Sequence, residues 1–213
     1  MGFLSRFFGG KISQGKNAHI GTHHASTSEA KQPLWDVGRK ILVATTKCYD
    51  KVLPQVSVKD EDTRRESEGG IFFEFIYFFL YFVLHTTSQN GWVGSETFAL
   101  ETFLVPKIAW VVINQLFPDV DPERRKAMIE IISMQWEEKR RQYDSSKIFS
   151  PDHQLDGTYV FSELALTISA LCGQMTNDAL TYTVADIVIQ ESKNMQLEHD
   201  LESARIFIVR NKQ

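Results

Sequence analysis

The sequence predicts an all-α protein, a single-domain bundle of five to six helices around a central aromatic-rich helix at about 70–88. Three observations carry that expectation. Residues 71–85, IFFEFIYFFLYFVLH, are Phe, Ile, Leu or Val except for Glu74, Tyr77, Tyr81 and His85. A run so apolar on nearly every side must be surrounded by other elements. Elsewhere, apolar residues recur at spacings of three and four, the period of a half-buried helix. Prolines and glycines fall mostly between the apolar runs, where they punctuate helices rather than break them.

The chain has 213 residues, enough for one sizeable core, and its 43% hydrophobic and 23% charged residues are an ordinary globular balance. A net charge of -4 supplies no basic field for nucleic acid. Cys48 and Cys172 stand alone, without a CxxC pair, so neither a disulfide framework nor a zinc site is expected. A reducing, cytoplasmic setting follows, with peripheral contact at a membrane as a further option.

Residues 1–32 read as a flexible tail and 33–213 as the helical domain. The tail is polar and lacks periodicity after its first eleven residues. Its start is different. Phe3, Leu4, Phe7 and Phe8 recur at helical spacing beside Arg6 and Lys11, and no acid occurs before Glu29. That pattern suits a weak membrane-surface contact or a docking segment. His19, His23 and His24 lack a carboxylate or thiol companion and are not read as a metal site.

Pro33 opens a first helix, with Leu34, Val37, Ile41, Thr45, Cys48, Tyr49 and Val52 on one side and Pro54 past its end. Residues 57–70 carry eight charges of both signs and read as a solvated loop or a frayed helix start. The central helix follows. It is shorter in its apolar run than the roughly 17–25 residues of a membrane span and contains Glu74, which favours a bundle core over a span. Its length also favours helix over a buried strand. Asn90 and Gly91 stop it, and Ser95 is the expected cap of the next helix, which runs to Phe117 with a kink predicted at Pro106. Asp121 and Pro122 start a fourth helix, with Met128, Ile131, Ile132, Gln135 and Trp136 on its inner face. Residues 144–157 form a loop in which Asp152, His153 and Asp156 are read as turn chemistry. A fifth helix at 158–172 is rich in small residues. Asn177 caps a last one, expected to continue through Leu201, with RIFIVR at 205–210 as either its final turns or an edge strand.

Function is not written in a motif. The first expectation is an interaction or regulatory module that binds a protein partner or a second copy of itself. Its surface is sought in the tail phenylalanines and the turn at Trp92 and Val93. The alternative is a small-ligand binder or enzyme built on a seam. Glu74, Tyr77, Tyr81 and His85, spaced three, four and four apart, share one stripe of the central helix. No Glu has His three residues later, which argues against a di-metal carboxylate site. No metal or cofactor is predicted.

Overall fold

The computed structural model describes residues 31–146 and 160–211. The fold is all-α: among the described residues there are seven helices and no strand. They are α1 (Gln32–Val52), α2 (Glu61–Gln89), α3 (Gly94–Leu116), α4 (Pro122–Asp144), α5 (Val160–Leu171), α6 (Asp178–Asn194) and α7 (Glu198–Arg210), with a short 3-10 turn at Leu53–Gln55. The tail residues Phe3, Leu4, Phe7 and Phe8, the histidines before Lys31, and Asp152, His153 and Asp156 lie outside the described residues.

Two helices, not one, form the middle. The α2 helix packs against α1, α3, α4 and α5, while α1 packs against α2, α3, α6 and α7. Phe72, Phe75, Phe78 and Phe79 are fully buried, and so are Val37, Ile41, Cys48 and Tyr49 on α1. Phe78 alone touches the rings of Phe79, Phe82, Tyr143 and Phe161. The 71–85 run is apolar all round because four neighbouring helices cover it. The helix is long and apolar enough to cross a membrane, and 67% of its apolar window is buried against the rest of the protein.

The charged stretch before the run is largely helix, so α2 starts at Glu61 rather than near 70. Asp60 caps it, accepting from the Thr63 backbone N–H at 2.8 Å and from the Thr63 hydroxyl at 2.6 Å. The charges then pair one turn apart, Arg64 with Glu68 at 2.9 Å and Arg65 with Glu61 at 3.2 Å. At the other end Asn90 is the C-cap and Gly91 takes φ +73°, as the Asn-Gly signal predicts.

Two further boundaries differ from expectation. Val93, not Ser95, precedes α3, and Glu96 reaches back to the Val93 N–H at 3.1 Å. The last predicted helix divides at Met195–Leu197 because Gln196 adopts φ +46°, which a right-handed helix cannot contain. That break accounts for the seventh helix. Residues 205–210 lie in α7, so RIFIVR is helical. Pro106 sits inside an unbroken α3 on its exposed side.

Candidate functional site

Two regions compete for function: the polar seam of α2 and an aromatic groove between α1 and α3.

The seam lies against α4. Glu74 Oε1 accepts from Lys139 Nζ at 2.7 Å, the Tyr77 hydroxyl donates to Gln135 Oε1 at 2.8 Å, and the Tyr81 hydroxyl donates to the Tyr143 carbonyl at 3.2 Å. His85 is only half-buried. It meets Gln89 on its own helix at 2.9 Å and stacks on Tyr81. The stripe read from sequence is therefore graded, tied down at Glu74 and loose at His85.

Burial pushes the Glu74 carboxyl up, and Lys139 only partly opposes it. Glu74 Oε2 and the Tyr143 hydroxyl are both sealed from water. They influence each other's ionisation yet fall short of a well-formed hydrogen bond. Burial also raises Tyr143 well above the usual phenol range, with Glu74 and Glu163 adding to the effect. Tyr81 is pushed up to about 12 by burial and by Asp144. His85 is held below its ordinary value by burial, against the pull of Asp144. Sequence reasoning missed Lys139, Gln135 and Tyr143 as partners; Gln135 and Ile131, expected on the inner face of α4, are both exposed, because only Ile132, Trp136 and Tyr143 of that helix turn into the core.

The space beside the seam is small. A cleft of about 300 Å³ opens at Glu74, Tyr77, Gln135 and Lys139, and one of about 100 Å³ opens at His85, Arg140 and Asp144. Ligand pockets run from about 300 to 1,000 Å³. The first cleft stands at the bottom of that range and the second well below it. Among the described residues no cluster of His, Cys, Asp and Glu is arranged to hold a metal ion.

The α1–α3 groove has a different character. It encloses about 570 Å³ over Leu34, Ala99, Phe103, Pro106 and Trp110, with Lys31 and Lys107 on its rim. On α3, Thr102, Pro106 and Trp110, spaced by four, run along the groove with Phe103 and Lys107 beside them. Trp110 is 50% exposed. Proline has no N–H to give the Thr102 carbonyl, so an acceptor is freed along that same row.

Lys107 Nζ lies 4.8 Å from the Trp110 ring centre and 5.6 Å from that of Trp35, and Lys31 Nζ lies 6.0 Å from that of Phe103. The Trp35 ring is itself held close over Gly38, where an added Cβ would come within 2.8 Å of it. Among the described residues neither lysine has a carboxylate partner.

A cleft of about 670 Å³ between α1 and the α6–α7 junction shows the contrast. There Lys40 pairs with Asp200, Lys47 and Lys51 with Glu191, and Arg39 with Asp36. Burial would raise the Glu191 carboxyl, but Lys51, Asn194 and Lys47 together hold it below its usual value. Its charges are already spent on one another.

Trp92, expected in an exposed turn, is buried, and only Val93 of that pair faces solvent. The free thiols Cys48 and Cys172 are both buried, and burial raises both, which disfavours their thiolates.

No family model matches this chain. No curated protein and no solved structure is significantly similar to it.

Proposed function

We propose that this protein is a helical interaction module whose α1–α3 groove takes an acidic, amphipathic segment of a partner protein. The observation that carries the reading is the pair of cations, Lys31 and Lys107, poised over aromatic rings without a carboxylate of their own among the described residues. An amphipathic helix laid in a groove supplies apolar residues at i, i+3, i+4 and i+7. Acids beside that stripe reach the two lysines, while apolar side chains cover Phe103, Pro106 and Trp110. An exposed aromatic surface rimmed by polar groups is the usual mark of such a site. The seam reading is weaker because its polar groups largely satisfy one another within the fold.

A selection decides it. Phage-displayed amphipathic helical peptides are panned against the full chain, and the recovered peptides are measured in solution. Acid-rich peptides are expected. Their binding should fall about tenfold or more with Trp110→Ala or Lys107→Glu, since central aromatic anchors dominate such interfaces. It should also weaken as salt is raised from about 0.05 to 0.5 M, where screening is nearly complete. Recovered binders indifferent to both substitutions would overturn the reading.

A further inference from the structure

We infer that the segment taken by the α1–α3 groove is the outer face of α4 from a second copy of this chain, so that the protein associates with itself, groove to helix. This rests on reading the groove as a docking site for an acidic, amphipathic segment.

The chain carries such a segment on its own surface. The α4 helix turns Ile132, Trp136 and Tyr143 into the core and packs on α2 and α3. Its opposite face presents Ala127, Ile131 and Met134 at i, i+4 and i+7, the spacing by which an amphipathic helix fills a groove. All three are exposed, Met134 at 71%. Glu130 and Glu137 flank them and are exposed as well. Among the described residues neither glutamate has a cationic partner. Two cations, Lys126 and Arg141, stand outside the interval between them, and Arg141 is engaged by Glu138 at 2.6 Å.

Spacing is the second support. The cations of the groove are stationed at two rings: Lys31 Nζ lies 6.0 Å from the centre of Phe103, and Lys107 Nζ lies 4.8 Å from that of Trp110. Those rings are seven residues apart on α3, about 10.5 Å along the axis at 1.5 Å per residue. Glu130 and Glu137 are also seven residues apart, so the two acids repeat the interval of the two cation stations. Seven residues make almost two whole turns, which keeps each pair on one side of its helix. The match holds for either direction of α4 along α3, because each set is a pair. Ile131 and Met134, between the acids, then lie over Pro106, between the rings. The groove and the α4 face are different patches. A two-fold pair, which forms the contact twice, and a head-to-tail series both satisfy it.

The test follows the mass of the full chain by sedimentation velocity. Association should rise with concentration between about 1 μM and 1 mM. It should weaken as salt is raised from about 0.05 to 0.5 M. Lys31→Glu with Lys107→Glu sets acid against acid, and Glu130→Lys with Glu137→Lys sets cation against cation. Each double variant alone should associate about tenfold or more weakly than wild type. An equimolar mixture of the two should recover association, since the groove of each then meets an oppositely charged α4. Mixing would not mend a variant that had simply failed to fold. Met134→Ser, at an exposed position, should weaken association on its own. A monomer throughout the concentration range, association indifferent to both reversals, or a mixture no stronger than its parts would overturn the inference. Acid-rich peptides that bind through Trp110 to a chain that stays monomeric leave the docking function standing and remove only the self-association. Association rescued by mixing, in a chain that recovers no such peptide, keeps the α4 contact and removes the outside partner.

Discussion

At the scale of single residues, the seam shows how far spacing reaches. The intervals between Glu74, Tyr77, Tyr81 and His85 are enough to put them on one stripe, because helical geometry is local. What the stripe faces is not local. Its partners Gln135, Lys139 and Tyr143 stand about sixty positions later and carry no mark of their role. The grading along the stripe follows from those partners and predicts unequal costs. Glu74→Ala removes the acceptor of a largely buried lysine and the carboxylate that faces the sealed Tyr143 hydroxyl; a loss of roughly 1–3 kcal/mol is expected. His85→Ala, which breaks only a bond within its own helix, should change stability by no more than about 0.5 kcal/mol. The pH response has a definite sign. The folded carboxyl of Glu74 titrates above its unfolded value. Ionisation is therefore disfavoured by folding, and stability drops as pH rises from the ordinary carboxylate range through the raised folded pKa. Compared with Glu74→Gln, wild type should lose ground across that window and run parallel above it. Urea titrations from about pH 4 to 8 measure both effects. Equal costs at 74 and 85 would contradict the graded seam.

At the scale of elements, periodicity locates the helices where one face is buried and misjudges them where none is. In α2, residues 61–70 offer almost no apolar face, and only Ser67 among them is buried. Their helix is held by the Asp60 cap and by ion pairs one turn apart, signals that a charge run hides. The division between α6 and α7 is hidden for the opposite reason. Neither Gly nor Pro marks it, and Gln196 takes the left-handed conformation instead. A β-carbon there costs roughly 1–2 kcal/mol. The cost is held in place by its surroundings: the Gln196 carbonyl accepts from Lys40 Nζ at 2.7 Å, and Met195 and Leu197 on either side are buried. Gln196→Gly should therefore raise stability by up to about 1 kcal/mol once the entropy of glycine is deducted. A β-branched Gln196→Val should lower it. Thermal or urea unfolding of the two variants reads the opposite signs, and a loss with glycine would mean that the Gln196 side chain, not its backbone, holds the junction.

At the scale of the whole molecule, the question is what α2 is for. Its length and hydropathy fit a membrane span, yet its apolar faces are taken up by α1, α3, α4 and α5. Membership of one packed core makes a kinetic demand. An amide in the middle of α2 is shielded on all sides by other helices. It exchanges with solvent only when those helices separate, and so at the free energy of global unfolding. The outer helix α4 buries only Ile132, Trp136 and Tyr143, and its midsection leaves Ile131 and Met134 in solvent. Its amides can open by detaching one face. Native-state hydrogen exchange under increasing denaturant should place 72–84 in the slowest class together with the buried face of α1, at Val37, Ile41, Cys48 and Tyr49. The middle of α4 should exchange earlier through partial opening. The paired behaviour of α1 and α2 is the sharp part of the expectation, because a span inserted in lipid would be protected independently of α1. If 72–84 stayed protected after denaturant had released the α1 amides, the shared core would be the wrong account of the longest apolar helix among the described residues.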